Sequence, residues 1–202
     1  MKRSRTPILL TTLVSAAVSV ATAVSFTRWK RTRAAELRQG SRLAATSRGP
    51  VEYSFQPGPR RDSPVVLLAH GGPGGYDQGF LLSRLTADGF SLLTPSRPGY
   101  LHTPLESGRT PAEQADLFAA LLDELQIERV AMLGMSAGGP IALQFALRHP
   151  ERTWALLMEA GVSQAYTPPE SANESVLGKI FLNSTAQELL MWLFTQFTWL
   201  AP

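Results

Sequence analysis

An α/β fold, with a mostly parallel sheet covered by helices, is predicted by three features of this sequence. Short apolar runs of strand length recur; helical patterns alternate with them; and glycine-rich turns stand where two of the runs end. A parallel strand is covered on both faces, so it reads as a continuous apolar run rather than an alternation. Residues 65–69 read this way, and further strands are expected at 90–94, 130–133 and 154–158.

In chain order, residues 8–26 carry no charge, and as a helix rising about 1.5 Å per residue they would nearly cross a bilayer. Lys2, Arg3 and Arg5 precede them, and Arg28-Trp29-Lys30-Arg31-Thr32-Arg33 follows at once. Basic flanks with an interfacial tryptophan predict an uncleaved membrane anchor within residues 1–33. Ala21-Thr22-Ala23 offers the alternative of a signal segment cleaved on export. Residues 34–49 are polar and basic and are expected to be a linker.

The core is expected over 50–161. Val51-Glu52-Tyr53-Ser54-Phe55 alternates as a half-buried strand does, and Gln56-Pro57-Gly58-Pro59 ends it. Residues 78–87 carry a helical pattern, and Pro95 cuts the strand at 90–94. Thr110-Pro111-Ala112-Glu113 is a capping box with proline at the first helical position. The helix it opens lines up Leu117, Phe118, Leu121, Leu122 and Leu125 on one face. A further helix is expected over 137–149.

Composition narrows the function classes. The chain has no cysteine, which removes disulfides, thiolate metal sites and a cysteine nucleophile. Its pI near 9.6 comes from arginines and lysines crowded into the first quarter. That placement is a topology signature with no groove-binding motif beside it, so no nucleic-acid partner is expected.

Two loops carry chemistry. Gly134-Met135-Ser136-Ala137-Gly138 matches G-x-S-x-G between a buried run and a helix. A serine on such a turn is held exposed, with the helix N-terminus and its N–H groups behind it to favour an oxyanion. The plain alternative is a glycine turn, or a phosphate loop lacking the lysine that P-loops need. His70-Gly71-Gly72-Pro73-Gly74-Gly75 follows the run at 65–69 and can bring a second backbone donor to the serine.

On these residues the chain resembles the α/β-hydrolase superfamily, in its proline-iminopeptidase-like and esterase-like members. Ser96-Arg97-Pro98-Gly99-Tyr100 and Arg148-His149-Pro150-Glu151-Arg152 resemble two further turns of that family, and the likeness runs over 49–161. The resemblance implies Ser136 as nucleophile, the N–H groups of Gly72 and Ala137 as oxyanion donors, and no metal or organic cofactor. It implies a carboxylic ester or small amide as substrate, cleaved through an acyl-serine intermediate. Glu159, after the run at 154–158, stands where some members carry the acid of the triad; an ordinary loop glutamate is the alternative.

The family places its histidine late in the chain. The three histidines here are His70, in the glycine loop; His102, expected in a solvated loop; and His149, expected to point away from Ser136. The last strands of the fold, with their acid and histidine loops, are missing, as in a chain truncated at its C-terminus. Residues 162–202, rich in Leu, Phe and Trp, resemble the start of a helical cap. An inactive remnant or binding module is therefore the alternative to an enzyme, and the open sheet edge is a candidate site for a partner chain.

Overall fold

The computed structural model describes residues 6–164 and 184–196, and the chain divides into two compact units, 1–38 with 167–202, and 39–166. The larger unit is a six-stranded sheet. Its strands are β1 (Arg42–Thr46), β2 (Gly49–Gln56), β3 (Val65–Ala69), β4 (Ser91–Pro95), β5 (Val130–Met135) and β6 (Thr153–Glu159). They lie in the order β1-β2-β4-β3-β5-β6. The first two form an antiparallel hairpin, β2 runs antiparallel to β4, and the remaining pairs are parallel.

Successive residues of a strand face opposite sides, so one run feeds two cores. From β3, Leu67 and Ala69 join Leu93, Met132, Phe118, Leu121, Ile141 and Phe145 on one side. Val66 and Leu68 join Leu92, Ala131 and Leu133 on the other. The first side is covered by α3 (Pro111–Glu124) and α4 (Gly139–Arg148). Thr110 caps α3 with its hydroxyl on the Glu113 N–H, and Glu113 reaches back to the Thr110 N–H.

Three expectations need correction. The stretch at 34–49 is not a linker: α1 (Thr6–Gln39) runs through its first part and β1 follows. The strand at 51–55 does not alternate, because β2 is paired on both edges and Val51, Glu52, Tyr53 and Ser54 are all buried. The helix expected over 78–87 is a 3-10 segment, Tyr76–Leu82, and then a single α-turn, α2 (Arg84–Ala87). Gly79 and Asp88-Gly89 limit it, since glycine lowers helical stability by about 1 kcal/mol.

In the smaller unit, α1 and α5 (Ser184–Gln196) are the described helices. Trp192 of α5 is buried, with its ring edge-on to Phe26 of α1, and Lys30 pairs with Glu188. The rest of the stretch expected to begin a cap, 165–183 and 197–202, lies outside the described residues. Among the described residues no helix is long and apolar enough to cross a membrane. Of the run at 8–26, the side chains of 15–26 are described.

Candidate active site

The strand order brings the two chemical loops together. From β3 the chain moves to β4 on one side, then crosses back to β5 on the other. The loops leaving the carboxyl ends of β3 and β5 flank the resulting crevice, where ligands bind in open α/β sheets.

Ser136 follows Met135, the last residue of β5, and adopts φ +48°, a left-handed conformation costing a residue with a Cβ about 1–2 kcal/mol. Its surroundings fix it there. A Cβ on Gly138 would lie 2.0 Å from the Ala69 carbonyl oxygen, and one on Gly134 would lie 2.7 Å from the Ala142 Cβ. The Ser136 carbonyl accepts the Val162 N–H at 2.9 Å, tying the turn to the segment after β6. The short 3-10 turn Ser136–Gly138 leads directly into α4, whose dipole points its positive end at the turn.

The glycine loop faces this turn. A Cβ on Gly71 would lie 3.5 Å from the Ser136 Cβ and 3.7 Å from the Met135 carbonyl oxygen. The Gly71 N–H is committed to Gln78 Oε1 at 2.9 Å, and Gln78 Nε2 donates to the Pro73 carbonyl. The Gly72 N–H makes no hydrogen bond among the described residues, and a Cβ there would meet nothing within 4 Å. Gly74, at φ +121°, bends the loop back over the Gln78 side chain. Gln78 is thus the brace of the loop. Nothing in the sequence marked it, because a glutamine on a helix-like run reads as surface.

His70 is buried, and both ring nitrogens are engaged. Nδ1 donates to the Gly71 carbonyl at 2.8 Å, and Nε2 accepts the Arg97 backbone N–H at 2.9 Å. Burial drives its pKa down to about 4; the Gly71 carbonyl opposes this and the Arg97 charge adds to it. The ring is a neutral strut between the glycine loop and the turn after β4. Arg97 lies over the Tyr100 ring and donates to the His70 carbonyl at 3.3 Å.

His102 is not merely solvated. Its Nδ1 lies 2.8 Å from Glu52, a buried carboxylate that also accepts the His102 N–H and the hydroxyls of Ser41 and Ser96. Burial works to raise the Glu52 pKa, but the His102 N–H, the His102 ring and the two hydroxyls together hold it below the ordinary value. The clue was an acid inside a strand pattern. His149 ends α4, about 15 Å from the turn by helix rise, with Nε2 on Asp116 at 3.0 Å. Glu159 is the last residue of β6 rather than a loop residue. It stands opposite Met135 in register and is exposed, and its side chain makes no hydrogen bond or ion pair among the described residues. Among the described residues, no cluster of three or more His, Asp or Glu side chains could hold a metal.

A mostly parallel sheet with a strand–serine turn–helix at its switch point defines an α/β-hydrolase type of fold. The chain belongs to the alpha/beta hydrolase fold family, whose pattern matches residues 64–185. It is 34% identical over 140 residues to the uncharacterized hydrolase YcgS of Bacillus subtilis (strain 168), covering 69% of this chain and 48% of that protein. It is 29% identical over 133 residues to the 2-hydroxy-6-oxononadienedioate/2-hydroxy-6-oxononatrienedioate hydrolase of Cupriavidus pinatubonensis, covering 62% and 46%. Among solved structures it is similar to an alpha/beta hydrolase fold protein from Nakamurella multipartita. The TM-score is 0.59 at 38% identity, over 70% of this chain and 50% of that one. The chain spans about half the length of the curated relatives it matches.

Proposed function

We propose that this chain carries the nucleophile half of a serine hydrolase acting on a carboxylic ester or a small amide. Ser136 Oγ attacks the carbonyl carbon, its proton passing to a base. The oxygen charge is held by the Gly72 and Ala137 N–H groups, and the leaving alcohol or amine departs with a proton. Water then hydrolyses the acyl-Ser136 intermediate. The observation that carries this reading is Ser136 at φ +48° between β5 and α4, opposite Gly71. A fluorophosphonate probe is expected to label wild-type protein on Ser136, and Ser136→Ala to abolish the label. Folded wild type that never labels would remove the reading.

One observation favours a second reading, a non-catalytic binding module. The histidines among the described residues are tied to partners other than the serine: His70 to Gly71 and Arg97, His102 to Glu52, His149 to Asp116. That reading predicts ligand binding without turnover of nitrophenyl esters. Membrane tethering through residues 8–26 rests on the basic flanks, and the alternative of export on the Ala21-Thr22-Ala23 match. Carbonate extraction of membranes tests it: a tethered chain stays in the pellet, and an exported one is recovered shortened at its N-terminus.

A further inference from the structure

We infer that Glu52 is a positioning residue for the glycine loop that faces Ser136. Its buried carboxylate holds the end of the loop at Tyr76 through the Ser96 hydroxyl, and its contacts to the turn after β4 steady the start of the loop at His70. That the loop offers an oxyanion donor rests on the serine-hydrolase reading; the link from Glu52 to the loop does not.

Glu52 lies inside β2 and is 1% exposed. A carboxylate that deep is tolerated only where hydrogen bonds replace its water. Four donors do so. Ser41 Oγ at 2.7 Å and His102 Nδ1 at 2.8 Å reach Oε1; Ser96 Oγ and the His102 N–H, both at 3.0 Å, reach Oε2. An ionised carboxylate only accepts, so each partner must donate. That commits the one hydroxyl proton of Ser96 to Glu52. Ser96 Oγ is left with its lone pairs, and the Tyr76 N–H donates to it at 3.1 Å. The relay has one direction, from the Tyr76 amide through the serine to the carboxylate.

Tyr76 directly follows Gly75, the last residue of the glycine loop, and a Cβ on Gly75 would lie 3.0 Å from Ser96 Oγ. The other end of the loop hangs on the next residue of the same turn, since the Arg97 N–H donates to His70 Nε2 at 2.9 Å. Ser96 and Arg97 thus hold both ends. Glu52 holds their turn twice: its carbonyl accepts the Ser96 N–H at 2.7 Å, and its carboxylate takes Ser96 and His102. Gln78 braces the span between the ends, on Gly71 and Pro73.

Burial alone would be served by an apolar residue at this place in β2. A buried polar network is costly unless every member is satisfied, and a satisfied one fixes a single arrangement of its parts. The parts fixed here are the two ends of the loop whose Gly71 lies opposite the Ser136 turn.

The test compares two variants of the full chain. Ser96→Ala removes the relay and leaves the other three bonds to Glu52; Glu52→Gln keeps the shape but turns an amide NH2 toward donors. Thr110→Ala, at the cap of α3, is the control for stability lost elsewhere. The first quantity is exchange of the Gly71 amide by NMR, taken relative to β5 amides so that a general loss of stability cancels. Gly71 bonds Gln78 and not Ser96, so its exchange reports the loop rather than the deleted bond. It is expected to rise about tenfold in both variants, the effect of losing one charge-assisted hydrogen bond, and to stay at the wild-type value in Thr110→Ala. The second is fluorophosphonate labelling of Ser136. Its rate at saturating probe is expected to fall about tenfold in both variants, short of the loss that deleting an oxyanion donor brings. The half-saturating probe concentration stays within about twofold, because donor placement acts on the transition state. If Glu52→Gln does not fold, Ser96→Ala carries the test. Faster Gly71 exchange in a chain whose wild type never labels keeps the positioning role and removes the serine-hydrolase reading. Gly71 exchange that is unchanged in folded Ser96→Ala, or that rises equally in Thr110→Ala, overturns the inference; so does faster exchange with labelling at the wild-type rate.

Discussion

At the scale of single residues, the glycines of the two loops differ in what they do. A methyl group on Gly138 would meet the Ala69 carbonyl oxygen at 2.0 Å and its carbonyl carbon at 2.6 Å, and backbone cannot swing aside. Gly138→Ala is therefore expected to cost about 3 kcal/mol, the upper end of overpacking, in urea unfolding. Gly72→Ala meets open space and is expected to stay within about 0.5 kcal/mol of wild type. If Gly72 lines the substrate crevice, the same change alters nitrophenyl-ester turnover while leaving the urea midpoint in place. The Ser136 turn was legible in the sequence because its constraint is local: a turn that tight admits only glycine two residues to either side of the serine, at Gly134 and Gly138. Gln78 was not legible because its brace depends on how the glycine loop folds back over it, and Glu52 was not because its partners are distant in sequence. Glu52 reaches Ser96 and His102, and those partners become neighbours only when β2 pairs with β4.

At the scale of elements, the capping box at Thr110 shows a start signal read correctly from four residues. The Glu113 N–H bonds the Thr110 hydroxyl at 3.2 Å, and the Thr110 N–H bonds Glu113 at 2.8 Å. Thr110→Ala is expected to lower unfolding free energy by about 1 kcal/mol, with Thr110→Ser restoring most of it. Thermal unfolding of the two variants side by side checks both. β3 and β5 were legible because burial on two faces writes itself as an unbroken apolar run; β4 is buried throughout but carries Ser91 and Thr94, and β6 is an apolar run that is largely exposed. β1 was not legible. It is an edge strand whose Ala44 alone is buried, and Arg42-Leu43-Ala44-Ala45-Thr46 carries no period. Its strand character comes from pairing with β2, Leu43 opposite Glu52 and Ala44 opposite Val51. Residues 78–87 failed for the opposite reason. A helical pattern was present, but the segment takes 3-10 geometry, with Tyr76 and Gln78 buried and the Gln78 side chain bonded to the glycine loop.

At the scale of the whole molecule, the pH dependence of folding sums over the buried ionisable groups, and its sign can be worked out. His70 titrates near 6.5 when unfolded and near 4 when folded, so between those values the unfolded chain binds the extra proton. Stability is therefore full above about pH 6.5 and lost as pH falls toward 4. Glu52 works in a lower window: its pKa is depressed in the fold, so its contribution is present above the ordinary value of 4.5 and lost below it. Between pH 7 and 5 the loss therefore belongs to the histidine, and the shift corresponds to about 2 kcal/mol over that interval. Urea unfolding at pH 7, 6 and 5 is expected to follow this slope in wild type. His70→Asn, less stable at pH 7 for want of the bond from the Arg97 N–H, is expected to lose that slope between pH 7 and 5. A wild-type curve flat across that interval would mean that the ring is not held neutral between Gly71 and Arg97. The glycine loop would then lack the strut that sets it against the Ser136 turn.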